Sequence, residues 1–176
     1  MAKKTKKFFD QKEAKDKIKA LEVTNDLGHD LIKRIDKVEK LLIQVRDDIS
    51  LRKFSHDEIK KEEDEMLFEL IYSNFSYLSK DYNKFRLSLI KHPELYLSLN
   101  ELKSLNNFNL KRMKTSTPIT NIVNSFKLVG VLKDLGILRD MIKDIIRKIE
   151  LLEKKNFNLI ETDNMRKSLD KVKDNI

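Results

Sequence analysis

Hydrophobic positions recur at intervals of three and four along most of this chain. The cleanest run is Leu128, Val131, Leu135, Leu138, Ile142, Ile145, Ile149 and Leu152. Residues three and four apart share one face of a helix. The run therefore predicts a helix with a single apolar seam, around which the rest of the chain is organised. A second stripe begins with Ala14, Ile18 and Leu21 and continues through Leu31, Ile35, Val38, Leu42, Val45 and Ile49. It predicts a helix from about Phe9 to Arg52. Gly28 weakens the middle of that helix by about 1 kcal/mol relative to Ala. A kink or a break there competes with a continuous helix, and a break would make Asp30 a fresh N-cap.

The next helix is announced by Ser55-His56-Asp57-Glu58, a capping box in which Ser55 and Glu58 satisfy each other's backbone N–H groups. Its core stripe is Leu67, Ile71, Phe75, Leu78, Tyr82, Phe85 and Leu89. His92-Pro93 should end it, because the residue before proline is pushed out of helical geometry. The short connection to the first helix implies an antiparallel hairpin. Pro93 should open a shorter helix to about Leu105, with Leu95, Leu99 and Leu102 inward. Thr117-Pro118 restarts the chain as N-cap and first helical residue. After Asn156-Phe157-Asn158 a last short helix is expected, with Met165, Leu169 and Val172 on one face.

A strict two-stranded coiled coil has a narrow seam, whereas a helix facing its own bundle carries a wider stripe. Leu132, Ile137, Met141 and Ile146 widen the organising seam, as Ile32 and Leu41 widen the first. The expectation is an all-α fold, an elongated antiparallel helical bundle of about three long helices plus one or two short ones. Residues 1–8 form a basic N-terminal arm and residues 9–176 a single helical-bundle domain. Rods of about 36 to 43 residues would be about 54–65 Å long.

Composition agrees with this picture. Charged residues make up 38% of the 176, against about 25% in a typical domain, which suits long helices with solvated outer faces. With no cysteine, disulfides and thiolate chemistry are excluded. No apolar run approaches the roughly 18 residues of a membrane span. The basic start MAKKTKKFFD has no apolar stretch behind it, so no signal peptide is expected. Cytoplasmic is the default location.

Charge sharpens the functional reading. The net charge is +8, and residues 1–20 supply +5 of it through eight lysines against three acids. Residues 57–65 carry −4, placed in the first turns of a helix, where the dipole favours acids. A basic arm on a nearly balanced body suggests a polyanion partner, nucleic acid or an anionic surface; a solubilising tail is the alternative. The residues expected to make the contact are Lys3, Lys4, Lys6 and Lys7, with a second basic spot at Lys111, Arg112 and Lys114.

Catalytic patterns are sparse. His29, His56 and His92 are far apart, and none forms a Glu-x-x-His or His-x-x-x-His pair. The glycines of Gly130-Val131-Leu132-Lys133-Asp134-Leu135-Gly136 lack the Lys-Ser/Thr ending of a phosphate-binding loop. No metal, cofactor or catalytic residue is expected. Two stretches resemble known families. Arg86-Leu87-Ser88-Leu89-Ile90-Lys91-His92 is similar to the Arg…His signature of HEPN ribonucleases, small helical bundles that work as dimers. That resemblance implies Arg86 and His92 as an RNA-cleaving pair, although Leu87 stands where the family commonly has a polar residue. Residues 116–132 resemble the recognition helix and exit of a winged helix-turn-helix. Ile119, Ile122, Val123 and Phe126 would then pack inward, while Thr120, Asn121, Asn124 and Lys127 would read bases and phosphates. The sequence departs from that family in two places: the turn from Asn106 to Ser116 is too long, and where a β-wing should follow Gly130 the pattern continues as helix. The leading reading remains a non-enzymatic helical-bundle interaction protein. Its partners would be another protein, a second copy of the chain, or nucleic acid held by the arm.

Overall fold

The computed structural model describes residues 9–51, 58–97, 101 and 126–175, and among them there is no strand. Three long helices account for nearly all of these residues: α1 (Gln11–Leu51), α2 (Glu58–Ile90) and α3 (Phe126–Asp174). A single 3₁₀ turn, Pro93–Leu95, follows α2. The 49 residues of α3 correspond to a rod of about 74 Å at 1.5 Å per residue.

Asp10 starts α1. Its carboxylate accepts from the backbone N–H groups of Lys12 at 2.9 Å and Glu13 at 3.4 Å, satisfying donors that a helix N-terminus leaves open. The helix then runs unbroken through Gly28 to Leu51, so Asp30 caps nothing. The stripe of α1 is buried as its spacing requires, with Leu21, Leu31, Ile35, Val38 and Leu42 in the core. On α2, Ile71, Phe75, Leu78, Tyr82, Phe85 and Leu89 are buried. On α3, Leu135, Leu138, Ile142, Ile145 and Ile149 are each fully closed to solvent. All of these residues belong to one continuous cluster. The organising seam is thus the inside of the chain's own bundle. The capping residues Ser55, His56 and Asp57, and the side chains of Val45, Ile49, Leu67 and Leu128, lie outside what the structure describes.

Contacts fix the directions of the helices. Along α1, Gln11 meets Asp163, Gly28 meets Ile146 and Asp36 meets Arg139, so α1 and α3 are antiparallel. Thr24 meets Ser88, Gly28 meets Phe85 and Arg34 meets Asp81, so α1 and α2 are antiparallel as well. It follows that α2 and α3 run in the same direction, with α1 packed against both. Arg139 of α3 ties to α1 through Asp36 at 2.8 Å and through Glu39. Arg34 of α1 reaches Asp81 at 3.3 Å and Asn74 at 3.1 Å on α2, and lies 5.0 Å above the Tyr77 ring.

Two expected elements are corrected. Pro93 opens only one turn, because Tyr96 sits in the left-handed region at φ 46°, which an L-residue enters at a cost and a right-handed helix cannot continue through; Glu101, the described residue of 98–105, is helical. Leu95 is inward and buried as expected, whereas Leu99 and Leu102 lie outside the described residues, as does the Thr117-Pro118 start. The Asn156-Phe157-Asn158 stretch does not end α3. Asn156 donates to the Leu152 carbonyl at 2.9 Å, an internal bond that leaves the helix intact. Ile160 then carries the buried face forward against Ala14 and Ile18. The expected last short helix is the end of α3, and its Met165, Leu169 and Val172 are exposed.

Candidate functional site

Thr24 lies on the buried stripe of α1, three residues after Leu21, and is fully closed to solvent. A buried hydroxyl needs a partner, and Thr24 has three. It donates to the Ala20 carbonyl one turn back at 3.1 Å. Its oxygen also meets the Ser88 hydroxyl of α2 and lies 3.0 Å from His92 Nε2. With the Thr24 proton committed to Ala20, Ser88 donates to Thr24, and so does His92 in the tautomer carrying its proton on Nε2. His92 is buried. That burial holds its pKa below the usual histidine value; Glu94 and a bond to the Ala20 backbone pull it up, and Lys91 pushes it further down.

A hydroxyl within reach of an imidazole is the pairing from which activated nucleophiles are made. Here the hydroxyl is sealed between two helices, so a substrate has no path to Thr24. The trio fastens the end of α2 to α1. Beside it runs an open groove of about 580 Å³, lined by Asp16, Lys17 and Ala20 of α1 and by Lys91, His92 and Glu94 after α2. Lys17 crosses it to Glu94 at 3.6 Å, an exposed pair of small energetic weight.

The same end of the bundle holds the start of α1 and the end of α3. The Gln11 amide donates to Asp163 and to Asn164, each at 2.6 Å. The bond from Gln11, followed by the interaction with Lys167, holds the Asp163 carboxyl below its usual range. From Asn164 to Asp174 every residue of α3 is exposed. This tail carries Arg166, Lys167, Lys171 and Lys173 against Asp170 and Asp174.

The expected binding residues Lys3, Lys4, Lys6, Lys7, Lys111, Arg112 and Lys114 lie outside the described residues, as do Thr120, Asn121 and Asn124. Lys127 is in the first turn of α3, and its side chain is not among those described. What the structure does place is the stretch where the family has its wing: residues 129–132 are helical, inside α3, as the apolar spacing predicts. The residues that would follow a recognition helix therefore have no β-hairpin. Arg86 and His92 are not joined by any hydrogen bond or ion pair. His92 is turned inward to Thr24, while Arg86 Nε is buried without a partner. A cleavage pair would have to present both groups to one phosphate.

Thr24 and Ser88 escaped notice in the sequence, yet one signal for Thr24 was present. Leu21, Thr24, Gly28 and Leu31 continue the buried stripe of α1 without a gap, and a polar residue in such a stripe must bond across the interface. Among the described residues, no group of three or more His, Asp or Glu is placed to hold a metal ion. Nor, among them, is any helix long and apolar enough to cross a membrane. No family model, no curated protein and no solved structure matches this chain.

Proposed function

We propose that this chain is a non-enzymatic helical-bundle interaction protein that grips a polyanion, nucleic acid foremost, through its Lys-rich N-terminal arm. One observation carries the reading most of the way. The antiparallel register of α1 and α3 puts the attachment point of residues 1–8 beside Asp163 and Asn164. There the exposed tail of α3 adds Arg166, Lys167, Lys171 and Lys173. The start of α1, which the Lys-rich residues 1–8 precede in the chain, and the basic tail of α3 thus share one end of the bundle, and clustered cations bind phosphate backbones by displacing counterions.

The test is fluorescence anisotropy of the full chain with labelled duplex and single-stranded DNA and RNA at low salt. Binding with little sequence preference that weakens steeply as salt rises is the expected result. Absence of binding to every probe at low salt overturns the proposal and leaves the arm as a solubilising tail.

A further inference from the structure

The core-facing side of α3 is occupied by Ile145, Ile149, Asn156 and Ile160, but the opposite side is bare. Leu151, Asn158, Thr162, Met165, Leu169 and Val172 follow one another at intervals of seven, four, three, four and three, and all are exposed. At 100° per residue they fall on one face, turned away from α1. Met165, Leu169 and Val172 expose 68, 63 and 58% of their surface. Large apolar side chains left this open at intervals of four and three have the spacing of a coiled-coil seam. A shallow hollow of about 330 Å³ lies beside the seam toward the body of the bundle, lined by Leu151, Asn158, Leu159 and Thr162 with Lys154 and Lys155; Lys155 stands seven residues before Thr162 on the same face, so the apolar contact begins at Thr162.

The charges that flank this seam choose the occupant. With Met165 and Val172 at d and Thr162 and Leu169 at a, Glu161 falls at g and Arg166 and Lys173 at e. In a parallel pair each g residue faces the e residue five positions on in the other strand. Glu161 of one copy then meets Arg166 of the other, twice by symmetry. In an antiparallel pair aligned on the same apolar residues, e faces e, and Arg166 and Lys173 repel one another. The helix is already held by the bundle along most of its length, so pairing does not have to meet the cost of nucleating it. The bodies of the two bundles lie on the far sides of the seam, because α1 packs on the opposite face of α3.

We infer that the chain self-associates through the solvent face of α3, in parallel, with Met165, Leu169 and Val172 of each copy meeting their counterparts. Leu169 at a with β-branched Val172 at d is an arrangement that admits more than two strands, so the measured mass counts the copies. The inference uses the same tail as the polyanion reading but does not depend on polyanion binding.

The experiment takes nuclease-treated full-length protein and measures its mass by light scattering and sedimentation across a concentration series. A multiple of 20.9 kDa is expected, returning to the single-chain mass in Leu169→Glu while helicity and melting temperature stay unchanged. A single-chain mass at every concentration overturns the inference, and so does an assembly that survives Leu169→Glu. Orientation is read from Val172→Cys in a chain that otherwise has no cysteine. Facing core positions of a parallel pair lie within the roughly 7 Å between Cα atoms that a disulfide needs. Oxidation should link the copies, and Lys171→Cys, one residue off the seam, should not. Assembly without the Val172→Cys link overturns the parallel arrangement. Nucleic-acid binding by a chain that stays single would overturn this inference and leave the proposed function standing.

Discussion

Gly28 of α1 lies against the ring of Phe85 of α2, so close that a methyl group at position 28 would stand 3.0 Å from Phe85 Cε2. On its other side the same methyl would meet Ile146 Cγ1 of α3, also at 3.0 Å. The three helices converge there, and the absent side chain is what lets them. Replacing Gly28 by Ala should gain about 1 kcal/mol of helix propensity and lose about 1–3 kcal/mol to overpacking. Gly136, also helical, has open space where its Cβ would be, so Gly136→Ala should keep the whole gain. Thermal melts should show opposite shifts, Gly28→Ala lower and Gly136→Ala higher, at about 2–4 °C per kcal/mol. A rise for both would mean the contact at Gly28 relaxes freely.

The seam of α3 separates buried from exposed neighbours with equal sharpness. Ile142 and Ile145 are fully buried, while Lys143 and Arg147 face solvent. Ile142→Asp or Ile145→Asp would bury a carboxylate without a partner, costing several kcal/mol out of a total stability of about 5–15. Either should melt or aggregate the protein, whereas Lys143→Asp and Arg147→Ala should shift it by less than about 0.5 kcal/mol. Circular dichroism of the four variants checks the contrast.

Much of this architecture was legible in the spacing of apolar residues, because a helix repeats every 3.6 residues and its buried face must repeat with it. The stripes of α1, α2 and α3 named their own core residues. What local pattern could not reveal were pairings set by tertiary contact. Thr24 and His92 are 68 positions apart, and nothing near either one names the other. Gly28 read as a weak point because propensity is local, whereas the close approach of Phe85 and Ile146 that explains it is not. The Asn156-Phe157-Asn158 stretch reads as a boundary before a last short helix, since asparagine's amide competes for backbone groups. In the helix that amide bonds one turn back, and Ile160 resumes the stripe. Of the predicted binding residues only Lys127 falls within a described segment, in the first turn of α3, so the fold leaves the others as sequence readings.

The trio at the end of α2 should make stability depend on pH in a defined window. His92 has its pKa lowered in the folded protein, by burial first and by Lys91 last, against the pull of Glu94 and the Ala20 backbone. Between that lowered value and the ordinary 6.5 the unfolded chain binds more protons than the folded one, so stability rises with pH there. Above 6.5 both states are neutral and the penalty is absent; below the folded value it is complete. Urea titrations from pH 5 to 8 should show this rise in the native protein and not in His92→Gln. Thr24→Val should cost about 1–3 kcal/mol at all pH values, since it strands Ser88 and His92.

Glu153 gives the opposite slope. Burial raises its pKa above 4.5, and Glu22, Glu150 and Asp26 raise it further; one of its oxygens has no hydrogen-bond partner. A carboxyl whose folded value is raised is held protonated more firmly in the folded state. The penalty is therefore absent below about 4.5 and grows as pH climbs through the folded value. Glu153→Gln should raise the melting temperature at pH 7, and the gain should disappear as the buffer is taken below 4.5. A gain that persists at low pH would point to packing rather than charge.

The arm makes the most quantitative prediction. A duplex-binding protein loses affinity with salt in proportion to the phosphates it neutralises, about 0.9 of a log unit per contact. Deleting residues 1–8 removes Lys3, Lys4, Lys6 and Lys7, so the slope of log K against log salt should flatten by up to about 3–4 units. Lys171→Ala on the α3 tail, which touches neither the core nor the seam, should flatten it by about 1 unit if that tail lies along the same backbone. The winged-helix resemblance predicts another outcome from the same assay. Sequence-specific binding would survive the deletion and fall by about 1–3 kcal/mol in Asn121→Ala or Asn124→Ala. Because residues 129–132 are helical, no wing stands ready to brace such a contact. The deletion should therefore dominate, and an unchanged slope after it would remove the arm from the binding surface.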